Sequence, residues 1–175
     1  MKPPFELSSS TRADLRFTGR RPVIEYRRSP PAPRGQEALA ASFLAAGRIV
    51  LASALRRDPR ERRRILVHEV FHFVWRRLGN PRRRSWGELL SAEFRSRARG
   101  ELGWSAEWRK NRVRERDIQG GTRRWRDYVC EAFCDTAAFL YGGTGRHAEF
   151  TLSKRWRNLR RAWFVQWIEG RELRL

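Results

Sequence analysis

The five residues His68-Glu69-Val70-Phe71-His72 carry two imidazoles four positions apart, with a carboxylate beside the first. On a helix, residues at that spacing leave the same face, so His68 and His72 can share one cation. Glu69 need not be a ligand; it is placed to take a proton from water polarised by that cation. The chain has three histidines and two of them fall in this pattern, which predicts a zinc site with its general base included.

The flanking residues predict the helix that such a site needs. Asp58-Pro59-Arg60-Glu61 reads as an N-cap aspartate, proline at the first helical position and glutamate at the third, a capping box. Ile65, Leu66, Val67, Val70, Phe71, Val74 and Leu78 follow without a breaker, and Gly79 with Pro81 supplies a stop. The histidines therefore sit in the middle of an apolar helix of about five turns. So much hydrocarbon implies burial against a core and exclusion of bulk water.

Catalytic zinc takes three protein ligands and leaves one position open. The best source of the third is the stretch Tyr128 to Leu140, which Thr122 can cap and Gly142-Gly143 can end. Glu131 and Asp135 are four apart there, two carboxylates on one face of an otherwise apolar helix. Buried like charges are costly unless something positive lies beside them. Zinc bound by Glu131, with Asp135 accepting the N–H of a ligating histidine, resolves that cost. A solvated pair bridged to nearby arginines is the plainer alternative.

H-E-x-x-H on one helix and E-x-x-x-D on a later one resembles the gluzincin branch of the zinc metallopeptidases, the group typified by thermolysin. The glutamate-led, alanine-rich second helix is also similar to that of the small ImmA/IrrE-type domains. The resemblance implies zinc on His68, His72 and Glu131, Glu69 as general base and acid, and Asp135 orienting a histidine ligand. It covers two helices, about a quarter of the chain. Cys130 stands where the thermolysin pattern has asparagine. The metzincin pattern is excluded, since its glycine and third histidine would fall at Trp75 and Leu78. A tetrahedral oxyanion needs one more donor. His147, after the loop Gly142-Gly143-Thr144-Gly145, is a candidate, and Tyr128 and Tyr141 compete with it.

Around these motifs, 175 residues allow one compact unit spanning 1–175, with residues 1–35 as an N-terminal arm. Asp14–Thr18 and Pro22–Tyr26 read as short strands, the second at an edge because of Pro22. Ser29–Gly35 is a Pro-rich linker; Glu37–Ala46 reads as a helix and Arg48–Ala52 as a strand. The expected class is α+β, mainly helical, with a small N-terminal sheet packed on the H-E-x-x-H helix. Ala38–Leu55 is apolar enough to suggest a membrane span, but Arg48 at its centre costs about 2.5–3.5 kcal/mol on the insertion scale. No membrane partner and no secretory signal are expected, which makes a reducing cytoplasm the default. Cys130 and Cys134 read as small core residues in preference to a metal pair or a disulfide.

The net charge is +20, and nearly all of the excess is arginine, since Lys2, Lys110 and Lys154 are the lysines. Arg62-Arg63-Arg64, Arg82-Arg83-Arg84 and Arg123-Arg124-Trp125-Arg126 could grip nucleic acid or another polyanion. A solvated surface from a general preference for arginine explains the same excess. Ser153–Gly170 reads as a helix whose Trp156, Leu159, Trp163 and Trp167 form a core stripe. Two functions follow: a zinc metallopeptidase acting on a peptide or protein substrate, and a basic regulatory protein on a similar scaffold with little or no hydrolysis. Glu69 favours the first, because pure binding has no use for a base beside the metal.

Overall fold

The computed structural model describes residues 15–31 and 38–175, and its class is α+β. The strands are β1 (Arg16–Thr18), β2 (Val23–Arg27), β3 (Ala40–Phe43), β4 (Arg48–Ala52) and β5 (Glu172–Arg174). The helices are α1 (Pro59–Arg77), α2 (Asn80–Arg95), α3 (Trp104–Lys110), α4 (Glu115–Gln119), α5 (Arg123–Tyr141) and α6 (Lys154–Trp167). A 3-10 turn at Ser53–Arg57 joins β4 to α1. Asp14, most of the arm and residues 32–37 of the linker region lie outside the described residues.

β4 is the centre of a three-stranded sheet, parallel to β2 and antiparallel to β3. Ile49, Val50 and Leu51 are fully buried, as a central strand covered on both faces requires. β2 is an edge, in keeping with Pro22 just before it. The second sheet is a parallel pair of β1 with β5, so the C-terminus contributes a strand as well.

The segment expected as a helix over Glu37–Ala46 is instead β3 and a turn, with Glu37 outside the described residues. Alanine prefers helix, but Gly47 takes φ +61 and turns the chain back so that Ala41 pairs with Val50. Strand pairing against a buried neighbour outweighs local propensity here.

The helix starts follow the sequence closely. The Asp58 carboxylate accepts hydrogen bonds from the Arg60 and Glu61 amides at 3.1 and 3.0 Å. Glu61 does not complete the capping box; its carboxylate accepts from the Arg64 guanidinium at 2.8 and 2.5 Å. Thr122 caps α5 by accepting from the Trp125 amide. At the other end of α1, Gly79 is not a left-handed terminator: it is extended, φ −62, and leads straight into α2 with Pro81 in its first turn.

α1 lies along α5, and α2 and α6 close the core around them. Phe71, Phe133, Phe164, Trp86 and Trp163 form one aromatic cluster, with Phe133 stacked on Phe164 at 5.1 Å. On α6, Trp156 and Trp163 are buried and Trp167 packs partly against the core, but Leu159 is exposed. Arg160 takes the inward place. Its guanidinium bonds Glu93 at 2.9 and 2.7 Å and Glu101 at 2.7 and 3.0 Å, all three residues fully buried. Lys110 and the Tyr128 hydroxyl complete the group on Glu101. Among the described residues, no helix is long and apolar enough to cross a membrane.

Candidate metal centre

α1 and α5 bring His68, His72 and Glu131 together at the floor of an open cleft of about 650 Å³. His68 Nε2 lies 3.1 Å from His72 Nε2, and the Glu131 Oε2 atom lies 3.3 Å from the first and 3.9 Å from the second. Bonds of about 2.0–2.1 Å to zinc at tetrahedral angles place neighbouring donors about 3.3 Å apart, so the three atoms outline one face of such a site.

The partners on the far side of each ring say which nitrogen carries the proton. His68 Nδ1 meets Asp135 Oδ1 at 2.7 Å, a donor to a carboxylate, which leaves the lone pair on Nε2. His72 Nδ1 faces Cys130 Sγ at 3.6 Å, so Nε2 is the nitrogen turned toward His68 and Glu131. Once their protons give way, two imidazole nitrogens and a carboxylate oxygen converge on one point. That arrangement favours a cation.

Asp135 holds His68 because α3 holds Asp135. The Ala106 amide donates to Asp135 Oδ2 at 3.0 Å. Gly103 passes so close that a Cβ there would sit 2.2 Å from the Asp135 carboxyl carbon. α3 also supplies Arg109, whose guanidinium lies 3.0 Å from Glu131 Oε1. The carboxylate is thus divided, one oxygen on arginine and the other toward the histidines, the orientation of a monodentate ligand.

The electrostatics follow from this geometry. Burial raises the Glu131 carboxyl, but the His72, His68 and Arg109 charges outweigh it and hold it at about 2. Burial lowers His72, but Glu131 and the Cys130 contact push it up to about 9. His68 is likewise depressed by burial and raised further, by Asp135 first and Glu131 second, to end well above the usual imidazole range. Each proton occupies the place of a metal bond.

Glu69 follows His68 on α1 and faces the same cleft. The Ser42 hydroxyl on β3 donates to its carboxylate and lies 3.1 Å from its backbone carbonyl. The Glu69 side chain is thereby fixed in rotamer by the neighbouring strand. Trp104, Trp108 and the β3 segment form the walls above the floor. Sequence reading missed Ser42 because its segment read as helix, and missed Arg109 because one arginine among so many carries no local signal.

The structure does not bring His147 to the cleft. Its Nε2 lies 3.4 Å from Glu61 Oε2, its Nδ1 accepts the Glu149 amide at 3.3 Å, and its ring packs on Phe150. The Arg64 pairs with Glu61 and Glu149 tie this loop to the first turns of α1. Tyr128 donates to Glu101 at 2.6 Å and Tyr141 to Glu169 at 3.1 Å, so neither tyrosine reaches the metal residues. Of the oxyanion candidates, none lines the cleft.

Comparison with protein-family models, with curated proteins and with solved structures returned no match to this chain.

Proposed function

We propose that the chain is a zinc-dependent hydrolase of peptide bonds, a small metallopeptidase of the gluzincin type. The observation that carries this reading is the convergence of His68, His72 and Glu131 in a cleft that Glu69 also lines. His68, His72 and Glu131 would hold the zinc, which when bound would supply an electrophile and acidify water. Glu69 takes the proton of the attacking water on a carboxylate oxygen and passes it to the departing amine nitrogen. Ser42 keeps that carboxylate aimed into the cleft, and Asp135 keeps the His68 lone pair aimed at the cation. Arg109, the cation that touches Glu131 on the cleft wall, is placed to offset negative charge developing on the carbonyl oxygen.

A peptide substrate suits the walls. Among the described residues β3 is paired on one side, to β4, and Ala40, Ala41 and Ser42 line the cleft. An extended peptide can add to the other side of β3 through backbone hydrogen bonds, with side chains packing against Trp104 and Trp108. Two cysteines kept as free thiols suit a reducing cytoplasm.

The test is zinc analysis of the purified chain together with hydrolysis of an unstructured protein such as casein. About one zinc per chain is expected, lost in His68→Ala. Glu69→Gln should keep the zinc while hydrolysis falls at least about 10²-fold. Full activity in Glu69→Gln removes the base from the mechanism.

A second reading, binding of nucleic acid or another polyanion, draws on a second cleft of about 680 Å³ lined by Arg83, Arg84, Arg95 and Arg126 with Trp75 and Trp125. It predicts a DNA shift that weakens steeply with salt. A zinc-bound, hydrolytically inert chain showing that shift would favour it.

A further inference from the structure

His72 presents a second nitrogen to a second set of donors. Nδ1 points away from Glu131, 3.6 Å from Cys130 Sγ, and Cys134 Sγ follows one turn later on α5. One ligand atom from each of His72, Cys130 and Cys134 lies within 4.8 Å of the other two. A ligating histidine ordinarily gives its other N–H to a carboxylate or a backbone carbonyl, as His68 does to Asp135. His72 has a thiol there, and a second thiol beside it.

We propose a second cation site on His72 Nδ1, Cys130 Sγ and Cys134 Sγ, with a preference for a thiophilic metal such as monovalent copper or cadmium. Bonds of about 2.3 Å to sulfur and about 2.0–2.1 Å to nitrogen put tetrahedral donors about 3.5 Å apart, close to the separation of Nδ1 and Cys130 Sγ. Two thiolates and one imidazole are soft donors, unlike the two imidazoles and carboxylate of the first centre. Cys134 is fully buried and Cys130 partly so, which shields the bound ion from water. Binding forms two metal–sulfur bonds and one metal–nitrogen bond. The two S–H protons and the Nδ1 proton leave to the buffer, and Nε2 either keeps its own proton or loses that as well.

That last choice links the two centres. If Nε2 keeps its proton, His72 offers no lone pair to the first centre, so a cation on the thiols opposes zinc. If it leaves, one imidazolate bridges both ions. The proposal shares His72 with the zinc reading but neither of its other ligands, so the two can fail separately.

Cadmium titration of the reduced full chain tests it, followed by the ultraviolet thiolate-to-cadmium band. Cys130 and Cys134 are the chain's two cysteines, so any such band reports on them alone. Wild type should develop the band at about one equivalent, and His68→Ala, which breaks only the first centre, should keep it. Cys130→Ser and Cys134→Ser should each cut it about twofold, and His72→Ala should weaken cadmium binding by at least about tenfold. No band in wild type overturns the proposal, as does a band that requires two chains to associate or one indifferent to His72→Ala. Should His72→Ala fail to fold, the cadmium NMR shift of wild type reads the donors directly. Two sulfurs with a nitrogen support the site; oxygens overturn it.

Discussion

At Asp135 one carboxylate performs two tasks, fixing the His68 tautomer through Oδ1 and anchoring α3 through Oδ2. Asp135→Asn keeps the size and an acceptor oxygen but removes the charge that makes His68 Nε2 a strong donor. Zinc affinity, read by chelator competition, should fall about 10–100-fold while the fold survives. His72 gives a pH dependence at the same scale. Its position is raised from 6.5 to about 9, so below that pH zinc must displace a proton to reach Nε2. Apparent zinc affinity should therefore weaken as pH falls from 9 toward 6.5, with proton release visible by calorimetry in buffers of different ionisation enthalpy. The metal-free protein should show the opposite trend: the paired imidazolium stabilises it fully below 6.5, and that contribution is lost as pH rises through about 9. A pH-independent zinc affinity over this range would contradict the geometry at His72.

Elements matter here through how closely they approach. α3 is short, yet it reaches the centre because Gly103 lets its backbone meet Asp135 with no Cβ between them. The glycine is extended there, φ 179, so the requirement is room and not conformational freedom. Gly103→Ala would put a methyl 2.2 Å from the Asp135 carboxyl carbon, and that side chain would have to move. Because Asp135 is the link to His68, the expected result is a loss of zinc affinity out of proportion to the loss of stability. Thermal melts of the metal-free protein beside zinc competition would measure both. An unaltered zinc affinity would mean that α3 yields and Asp135 does not.

Across the whole molecule the charge is less free than the sequence implies. Arg77, Arg112, Arg126 and Arg157 donate to the backbone carbonyls of Phe73, Trp108, Gly121 and Phe150, closing helix ends and loops. Arg160 is the extreme case, buried between Glu93 and Glu101 with Trp86 beside it. Removing one member of a buried ion group leaves its partners uncompensated, so Arg160→Met should cost about 3–5 kcal/mol by denaturant unfolding. The network also sets an acid limit. Burial raises the Glu101 carboxyl, but Arg160 and Lys110 outweigh it and hold it below its ordinary 4.5. Its contribution is present above that pH and is lost as pH falls through the lowered value. A stability profile flat down to pH 3 would show that the network does not act this way.

Local chemistry announced α1 and α5 from sequence alone. Asp58 and Thr122 hold their helix starts through side-chain oxygens, and His68, His72, Glu131 and Asp135 share faces because a helix repeats every 3.6 residues. Those relations need no knowledge of the rest of the chain. What faces what across elements does need it. β3 formed against helix propensity because β4 was there to pair with it, and only that pairing put Ser42 against Glu69. α3 delivered Arg109 and the Ala106 amide from a stretch without a motif, and the loop carrying His147 was drawn to Glu61 instead of the cleft. Spacing along one helix is fixed by backbone geometry, whereas contacts between distant segments are chosen by the packing of the whole core, which no short window of sequence contains.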